Sequence, residues 1–461
     1  MPNTLKKREN VLKYIDMIGK ELKIMNKKVA FYTLGCKVNQ YETNAMIEQF
    51  IKKGYEIVDF DSIADIYIIN TCTVTNMADR KSRQMIRRVK EINPDSILVA
   101  CGCYAQVGKE ELKKITQIDL IYGTNEKNKI AEYIEEYIDS KKEEDKDKNK
   151  EIITDVMYQK EFLDFGPTIY TEKTRAVIKV QDGCDRFCSY CIIPYARGHV
   201  RSRRPESVIE EITEIAKKGF KEVVITGIHV ASYGKDFKEN IGLIDLLEEI
   251  NKIDGIERIR LGSIEPTIIT EEFLERLTKL DKICDHFHLS LQSGCDETLK
   301  RMNRRYTTAD FRNATDMIKK VYPDVALTTD IIVGFPQETD EEFEKTYQFL
   351  KEINFYKMHI FKYSQRKGTK AAVMSGQVEG SVKEERSRRL IELSDENEKK
   401  HNEKYIDKIV DVLFEEQDGD YIKGHTTNYM VVKVPYQPLE NKIVKVKIQK
   451  EENLELVGEI V

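Results

Sequence analysis

The sequence predicts an α/β protein with three parts: an N-terminal parallel-sheet α/β domain, a central partial (β/α)6 barrel and a small C-terminal antiparallel β-barrel. Two stretches of alternating strands and helices predict the first two parts, because such alternation is typical of a parallel sheet covered by helices. A change to short strands joined by turns predicts the third. The length of 461 residues also suits about three domains at roughly 150 residues each.

Composition excludes several classes of protein. Hydrophobic residues make up 40% of the chain, enough to bury sizeable cores, and the formal net charge of −5 excludes a uniformly basic nucleic-acid coat. A local basic groove remains compatible with that charge. No apolar run approaches the ~18 residues that suggest a membrane span. Residues 1–27 carry scattered charges and read as a helical lead-in rather than a secretory signal, so we expect a cytoplasmic protein.

The first domain is predicted over residues 28–139. Its strands are predicted at 28–34, 55–60, 64–70, 96–100 and 118–123, and its helices at 41–54, 77–92 and 125–138. Residues 140–170 are predicted to be a linker, because the segment 140–151 lacks aromatic and β-branched residues and cannot bury a core.

The same alternation restarts in residues 171–400. Strands are predicted at 175–181, 222–227, 258–263, 286–293, 326–334 and 355–363, and helices at 206–219, 241–252, 270–280, 308–321, 339–353 and from about 382. Six units are too few for a closed eight-fold barrel, so we expect a partial, open one. Residues 401–461 hold five predicted strands, at 408–416, 420–425, 429–434, 442–448 and 454–461. Such a module often binds oligonucleotides, but a structural cap or a dimerisation module is also compatible with it.

Cysteine gives the sharpest chemical information. The chain has nine cysteines and no export signal, so metal or redox chemistry is a better interpretation than a disulfide scaffold. Cys184, Cys188 and Cys191 follow the first barrel strand with spacings of three and two residues. Loops at the carboxyl ends of barrel strands carry the chemistry of such folds. Soft thiolates select iron–sulfur clusters or zinc, and three local thiolates leave one metal position open.

This Cys-x3-Cys-x2-Cys motif at the start of a β/α barrel resembles the radical S-adenosylmethionine (SAM) enzymes. The resemblance implies a 4Fe–4S cluster whose open iron chelates SAM through its amino and carboxylate groups. It also implies that one electron from the cluster cleaves SAM to methionine and a 5′-deoxyadenosyl radical, which abstracts hydrogen from an unactivated C–H bond.

A second set of cysteines lies in the first domain. Cys36, Cys72 and Cys103 each follow a predicted parallel strand, so they could converge at the carboxyl edge of the sheet. Ordinary buried cysteines are the alternative on spacing alone. The surrounding motifs, Thr-Leu-Gly-Cys-Lys-Val-Asn-Gln, Asn-Thr-Cys-Thr-Val-Thr and Gly-Cys-Tyr-Ala-Gln, resemble the N-terminal domain of methylthiotransferases. That resemblance implies a second 4Fe–4S cluster, with a free iron that binds the sulfur for insertion. Cys101, Cys284 and Cys295 lie outside these motifs and are expected to be structural.

The resemblance covers nearly the whole chain. The barrel resembles the radical SAM barrel and the C-terminal module resembles the TRAM domain, while the first cysteine motif resembles the branch acting on threonylcarbamoyladenosine in tRNA. It implies conversion of this nucleoside, next to the anticodon, to its 2-methylthio derivative. The cofactors would be two 4Fe–4S clusters facing one another, and SAM. The partners would be a tRNA anticodon loop and a low-potential electron donor such as flavodoxin or ferredoxin, the sulfur donor being left open. Methylthiolation of another tRNA adenosine or of a ribosomal protein, and a non-enzymatic iron–sulfur sensor, are the alternatives.

Four further residues at barrel strand ends have roles that the resemblance implies. Gly227, Gln292, Asp330 and Gly334 are expected to bind SAM, and the alternative for each is turn chemistry that ends a strand. His229, His286 and His288 could be ligands or bases, but hydrogen-bonded core histidines are the favoured interpretation. The segment 361–369 lacks the proline that the family commonly shows after the sixth strand.

Basic clusters predict the nucleic-acid surface. Each follows a strand-end loop, where phosphate contacts could surround the reaction mouth. The clusters are Arg80, Lys81, Arg83, Arg87, Arg88 and Lys90; then Arg197, Arg201, Arg203 and Arg204; and then Arg301, Arg304 and Arg305. In the C-terminal module, residues 425–429 resemble the part of a TRAM domain that can face tRNA, whose unstacked loop bases are the usual target of specific RNA readers.

Overall fold

The computed structural model describes residues 27–140, 150–171 and 174–461, and the chain divides into two compact units. The first unit holds the chain up to Tyr158 together with Leu163–Tyr170, and the second holds Gln159–Phe162 and Thr171–Val461. The predicted lead-in helix, up to residue 26, and residues 141–149 of the predicted linker lie outside the described residues. None of the helices in the described ranges is long and apolar enough to span a membrane.

The first unit is built on a parallel sheet of six strands in the order β2-β1-β3-β4-β5-β6. Its strands are β1 (Lys28–Thr33), β2 (Glu56–Val58), β3 (Ile66–Thr71), β4 (Ile97–Gly102), β5 (Leu120–Tyr122) and β6 (Lys150–Ile152). Its helices are α1 (Lys37–Lys52), α2 (Asn76–Ile92), α3 (Cys103–Val107), α4 (Lys109–Leu112) and α5 (Ile130–Ser140). All six residues of β3 are buried, because helices cover both faces of the sheet. The strand β6 lies in the segment predicted as linker and pairs with β5.

The second unit contains six parallel strands in a partial barrel. These are β7 (Arg175–Asp182), β9 (Glu222–Gly227), β10 (Arg258–Leu261), β11 (His286–His288), β12 (Ala326–Val333) and β13 (Lys357–Lys362), and the two-residue strand β8 (Arg201–Ser202) pairs antiparallel with β7. Its helices are α6 (Ile193–Arg197), α7 (Pro205–Lys217), α8 (Leu243–Asn251), α9 (Glu271–Leu277), α10 (Asp296–Arg301), α11 (Thr308–Val321), α12 (Asp340–Ile353) and α13 (Gly380–Glu403). Isolated parallel bridges join the β10 side to the β11 side, so the strands form one open wall.

Five strands of the second unit close into a small barrel in the order β14-β15-β16-β18-β17. They are β14 (Ile409–Asp418), β15 (Tyr421–His425), β16 (Val431–Pro435), β17 (Ile443–Glu452) and β18 (Glu455–Ile460). Four of the five pairings are antiparallel, and the β16–β18 pairing is parallel. The predicted fold class is therefore confirmed, with one parallel closure in the barrel predicted to be antiparallel.

The small barrel and the partial barrel share a core within this unit. Ala326 and Tyr356, from the partial barrel, belong to the same buried cluster as Phe414 and Val432 of the small barrel. Charged groups join them as well, since the guanidinium of Arg260 bonds both to Glu222 in β9 and to the backbone of the small barrel. The sequence separates these parts into two domains, and long-range contacts unite them.

Arg260 makes the most connected of these contacts. Its Nε lies 2.7 Å from Oε1 of Glu222, and its Nη1 donates to the carbonyl oxygen of Thr427 at 2.8 Å. Its guanidinium also lies over the ring of Tyr429. Both charged side chains are fully buried. Burial opposes ionisation of Glu222, but the charge of Arg260 lowers the pKa of that carboxyl below its ordinary value.

We therefore expect Arg260→Met to lower the free energy of unfolding of this unit by about 3–5 kcal/mol, because it leaves Glu222 charged and buried without its main partner. Urea unfolding followed by circular dichroism measures the change. The matched control is Lys279→Met, which removes an exposed pair with Glu275 and should change stability by less than about 1 kcal/mol. Equal losses of unfolding free energy in the two variants would contradict the conclusion that Arg260 stabilises the buried Glu222.

Candidate functional site

The structure brings three cysteines of the first unit to the carboxyl edge of its sheet. Cys36 follows β1 and precedes α1, Cys72 follows β3, and Cys103 is the first residue of α3, directly after β4. Because β1, β3 and β4 are adjacent and parallel, their carboxyl ends lie side by side. Burial raises the pKa of the Cys72 thiol to about 12, and the neighbouring thiols of Cys103 and Cys36 add to the rise.

Two glycines allow this close approach. Gly35 has a φ of +105°, and a Cβ at this position would lie 2.8 Å from both Cβ and Sγ of Cys72. Gly102 has a φ of +97°, and its Cβ would lie 2.5 Å from Oδ1 of Asn70. L side chains rarely adopt such backbone conformations, and here they would also collide with the site. Both glycines are therefore part of the cradle that holds the cysteines.

Amide side chains beneath the cysteines fix the same loops. The Nδ2 of Asn39 donates to the carbonyl oxygens of Leu34 at 2.7 Å and Thr71 at 3.0 Å, which ties the Cys36 loop to the end of β3. Asn70 in turn donates to the carbonyl oxygen of Asn39 at 2.9 Å. These side chains are buried, so their hydrogen bonds hold the loops more firmly than exposed ones would.

A buried ion pair supports this network. The ammonium of Lys127 lies 2.7 Å from Oε2 of Glu42 and 3.1 Å from Oδ1 of Asn70, and both charged side chains are fully buried. Cys101 lies in the same buried region, with its Sγ 3.8 Å from Oδ1 of Asn70. Burial raises the pKa of the Cys101 thiol to about 12. Cys101 therefore packs beneath the site, as the sequence predicts for a structural cysteine.

The second trio lies on the loop after β7. Gly183 has a φ of +70°, and a Cβ there would lie 1.8 Å from the carbonyl oxygen of His199. The backbone N–H of Cys184 donates to the carbonyl oxygen of Gly198 at 3.0 Å, and that of Cys191 donates to Cys188 at the same distance. Burial, together with neighbouring thiols, raises the pKa of Cys184 to about 11 and that of Cys191 to about 12. The loop thus places its three cysteines after a turn at Gly183, where any other residue would be strained and would collide with the backbone.

Arg304 contacts this second trio directly. Its Nη1 lies 3.2 Å from Sγ of Cys188, and its Nη2 lies 3.0 Å from Oε1 of Glu265. Glu265 follows β10 and also pairs with Arg186 of the cysteine loop and with Nε2 of His229, at 3.1 Å from the latter. Burial opposes ionisation of Glu265, but the hydrogen bond to His229 and the charges of the two arginines lower its pKa to about 2. An ionised carboxylate therefore ties three strand-end loops together.

The donor chemistry of the two trios fits iron–sulfur clusters. Each place offers three cysteine thiols close enough to influence one another's pKa, on loops that contain glycine. Cysteine thiolates are the usual ligands of 4Fe–4S clusters.

Three of the four residues predicted to bind SAM lie at or after barrel strand ends, and Asp330 lies within β12. Gly227 ends β9, and a Cβ there would lie 2.9 Å from Oε1 of Gln181. Gln292 has a φ of +71°, and its backbone N–H donates to the carbonyl oxygen of Asp330 at 2.9 Å. Gly334 has a φ of +69°, and its N–H donates to Oε2 of Glu338 at 2.6 Å. Gln292 and Asp330 are thus brought together, and contact with SAM stays a prediction for all four residues.

The second predicted basic cluster is structural. Arg197, Arg201 and Arg203 are buried: Arg197 pairs with Asp182 at 3.1 Å, and Arg203 pairs with Glu211. A buried guanidinium paired within the fold cannot contact a phosphate. Arg204 is exposed and pairs with Glu239, so it alone of this cluster reaches the surface.

The third cluster divides in a similar way. Arg301 pairs with Glu342, and Arg304 belongs to the cysteine loop network, whereas Arg305 is exposed.

The first cluster does form a surface. Arg80, Lys81, Arg87 and Arg88 of α2 are exposed, and Arg88 forms an exposed pair with Asp61 at 2.7 Å. Arg83 instead donates to the hydroxyl of Tyr104. This helix begins four residues after Cys72, so its basic face starts beside the first cysteine site.

The segment predicted to face tRNA from the C-terminal barrel is partly buried. Thr426 and Asn428 are nearly inaccessible, the other three residues are partly exposed, and the ring of Tyr429 stacks on His286 with 4.6 Å between centroids. Asn428 also donates to the hydroxyl of Tyr405 at 2.7 Å. Residues 425–429 thus pack in part against the partial barrel, and their contact with RNA stays a prediction. In the segment 361–369, Tyr363 packs on Phe335 and is buried.

The sequence analysis missed two side chains that the structure places in candidate sites. Glu265 lies four residues after the end of β10, and the rule that loops at strand ends carry the chemistry could have indicated it. His359 lies within β13, opposite Asp330 in β12. The available signal was that His359 lies between Met358 and Ile360. Residues on one face of a strand recur every second position, so His359 faces the opposite side from these two apolar residues.

A family model described as the radical SAM superfamily matches residues 178–350, and a model described as uncharacterized protein family UPF0004 matches residues 28–123. The chain is 44% identical over 431 residues to the Bacillus subtilis (strain 168) protein named threonylcarbamoyladenosine tRNA methylthiotransferase MtaB, covering 92% of this chain and 94% of that protein. An Aquifex aeolicus (strain VF5) protein of the same name is 41% identical, covering 91% of this chain and 100% of its own length.

A more distant relative carries a different name. A Geobacillus kaustophilus (strain HTA426) protein named tRNA-2-methylthio-N(6)-dimethylallyladenosine synthase is 37% identical, covering 99% of this chain and 87% of its own length. Among solved structures, the radical SAM methyltransferase TsrM from Kitasatospora setae superposes with a TM-score of 0.54 at 14% identity, covering 73% of each chain. That likeness concerns the fold alone.

Proposed function

Because this chain belongs to the radical SAM tRNA methylthiotransferase family, we propose that it converts N6-threonylcarbamoyladenosine next to the tRNA anticodon to the 2-methylthio derivative. The observation that carries the proposal is the presence of two cysteine trios, one in each unit, at the carboxyl ends of parallel strands. The relatives named for threonylcarbamoyladenosine are 44% and 41% identical to this chain, against 37% for the dimethylallyladenosine relative described above, which supports the choice of nucleoside.

The cofactors are two 4Fe–4S clusters and SAM. We assign Cys184, Cys188 and Cys191 to the cluster that binds SAM, and Cys36, Cys72 and Cys103 to the second cluster. When bound, the SAM-binding cluster would pass on the electron that cleaves SAM to the radical that removes the ring hydrogen, and the second cluster would hold the sulfur that, with a methyl group from SAM, takes its place. A flavodoxin or ferredoxin supplies the electrons.

The chain's own residues orient and screen these groups. Arg304 donates to Sγ of Cys188 and so places positive charge beside the thiolates, which is one of the ways a protein adjusts the reduction potential of a cluster. Glu265 holds Arg304 and Arg186 in position through its ion pairs. Gly227, Gln292 and Gly334 lie at or just beyond the strand ends where SAM is expected to bind, and Asp330, within β12, is expected to contribute backbone contacts. The exposed arginines and lysine of α2 provide phosphate contacts for tRNA.

The test is a single-turnover reaction with the anaerobically reconstituted full chain, SAM and dithionite. Parallel reactions contain anticodon stem-loop RNA bearing threonylcarbamoyladenosine, dimethylallyladenosine or unmodified adenosine. Nucleoside mass spectrometry should find the methylthio product with the first RNA and far less with the others. A methylthio product confined to the dimethylallyl RNA, or no nucleoside product despite formation of 5′-deoxyadenosine, would overturn the proposal.

A further inference from the structure

The inner face of the partial barrel is polar. Along β12, Leu327, Ile331 and Val333 belong to the apolar core between strands and helices, while Thr328 and Asp330 alternate with them. Side chains alternate between the two faces of a strand, so Thr328 and Asp330 face the interior of the barrel. A packed β/α barrel fills this space with branched apolar side chains. Polar side chains in that position suit a polar ligand better than an apolar core.

Three side chains that face the interior of the barrel lie close together on neighbouring strands. His288 ends β11, Asp330 lies in β12, and His359 is paired in register with Asp330 from β13. Their ligand atoms all lie within 4.8 Å of one another. Nε2 of His288 lies 3.2 Å from Oδ2 of Asp330, and the two imidazole rings stack with 5.7 Å between centroids. We call these three residues the lumen trio.

The first histidine of the lumen trio is fixed from behind. Nδ1 of His288 lies 3.0 Å from the hydroxyl of Thr328, which sets the rotation of the ring. In the described chain, Nε2 of His288 is buried and makes no well-directed hydrogen bond, although Asp330 lies close to it. His359 is exposed, so the group remains open to a ligand on one side. A preorganised donor and acceptor set with one open side is the usual construction of a specific polar subsite.

We propose that the lumen trio recognises the N6 substituent of the target adenosine, a threonylcarbamoyl group, and this inference rests on the proposed function. That substituent carries a carboxylate, a hydroxyl and urea N–H groups. The exposed imidazole of His359 donates N–H to its carboxylate, and the carboxylate of Asp330, which lies beside Nε2 of His288, accepts from its hydroxyl or urea N–H. The backbone carbonyl oxygen of Asp330 accepts from the N–H of Gln292, so the lumen trio lies close to the loop that follows β11.

An apolar substituent cannot satisfy these groups. A dimethylallyl group in the same place would offer no hydrogen-bond partner to the imidazole of His359 or to the part-exposed carboxylate of Asp330. Sites built to hydrogen-bond a substrate disfavour an analogue that lacks the polar groups. The lumen trio therefore accounts for selection of a charged, hydrogen-bonding substituent over an apolar one.

The experiment compares equilibrium binding of two anticodon stem-loop RNAs, with and without the threonylcarbamoyl group, by fluorescence anisotropy on the reconstituted protein with SAM bound. For the wild type, the modified RNA should bind more tightly. In His359→Phe this preference should shrink by roughly 10- to 100-fold, the factor expected for a lost hydrogen bond to a charged group. His359→Gln, which retains an N–H donor, should recover part of it. Asp330→Asn tests the acceptor independently.

Lys362→Gln is the matched control, because Lys362 lies three residues further along β13, is exposed and pairs with Glu384. It should leave the preference unchanged. An unchanged preference in both His359→Phe and Asp330→Asn would overturn the inference while leaving the proposed function standing. Absence of methylthio product from the wild type with the modified RNA would instead overturn the proposed function. A metal ion held in addition to about eight irons and lost in His359→Phe would replace the inference with a metal site, since two histidines and a carboxylate also bind iron(II).

Discussion

Replacing Cys184, Cys188 and Cys191 together with alanine should abolish formation of 5′-deoxyadenosine from SAM. The physical reason is that thiolates are the ligands of a 4Fe–4S cluster, and without the cluster nothing supplies the electron that cleaves SAM. Chromatography of the anaerobic reaction with dithionite measures 5′-deoxyadenosine directly. Iron should fall from about eight to about four per chain if each trio holds one four-iron cluster.

Cys295→Ser is the matched control for this variant. Cys295 is a buried cysteine of the same unit that precedes α10 and lies outside the cysteine loop, and serine is a good residue at the start of a helix. This control should keep both the iron and the 5′-deoxyadenosine. Full production of 5′-deoxyadenosine by the triple variant would show that SAM cleavage does not depend on this loop.

The sequence predicts both cysteine sites from local patterns, and their role as cluster ligands stays a prediction. Three of the six cysteines follow strands of the first sheet, and the other three lie on the loop after β7. These strands can be predicted from their own residues, and parallel strands end at the same edge of a sheet. The glycines beside them, Gly35 and Gly183, could also be read from the sequence as turn residues. The atoms that their missing side chains would strike, in Cys72 and His199, come from distant segments and required the structure.

The basic clusters show the limit of such reasoning. Arg203 and Arg204 are neighbours in a basic run, yet Arg203 is buried against Glu211 and Arg204 is exposed. Composition cannot distinguish a solvated arginine from one that pairs within the fold, because the partner's position depends on packing. Likewise, residues 425–429 resemble an RNA-facing segment, but the contact of Arg260 with the carbonyl oxygen of Thr427 places that segment in an interface.

The number of compact units also depends on long-range contacts, which the pattern of a single segment does not predict. The sequence separates residues 171–400 from 401–461, because the period of the hydrophobic pattern changes there. In the structure both lie in one unit, since the apolar side chains of Ala326 and Tyr356 complete the core of the small barrel. The sequence analysis missed His359 for a related reason. A single histidine within a strand indicates no particular site until its neighbours on β11 and β12 are known.

Replacing Cys36, Cys72 and Cys103 together with alanine should eliminate the methylthio nucleoside while 5′-deoxyadenosine still forms. These cysteines lie in the first unit, and those of the loop after β7 lie in the second, so replacement of one trio leaves the other intact. Iron should fall to about four per chain, as in the first variant, but the missing product differs. Nucleoside mass spectrometry and chromatography of the same reaction measure both products.

Cys101→Ala is the matched control here, because Cys101 is a fully buried cysteine two residues before Cys103 that packs beneath the site. It should retain the iron and the methylthio product, with a modest loss of stability from the small cavity. A methylthio product from the triple variant would place sulfur delivery elsewhere in the chain. Loss of both products from the triple variant, with Cys101→Ala unaffected, would mean that the first unit is needed for SAM cleavage itself. The two chemical steps would then not be divided between the two cysteine sites.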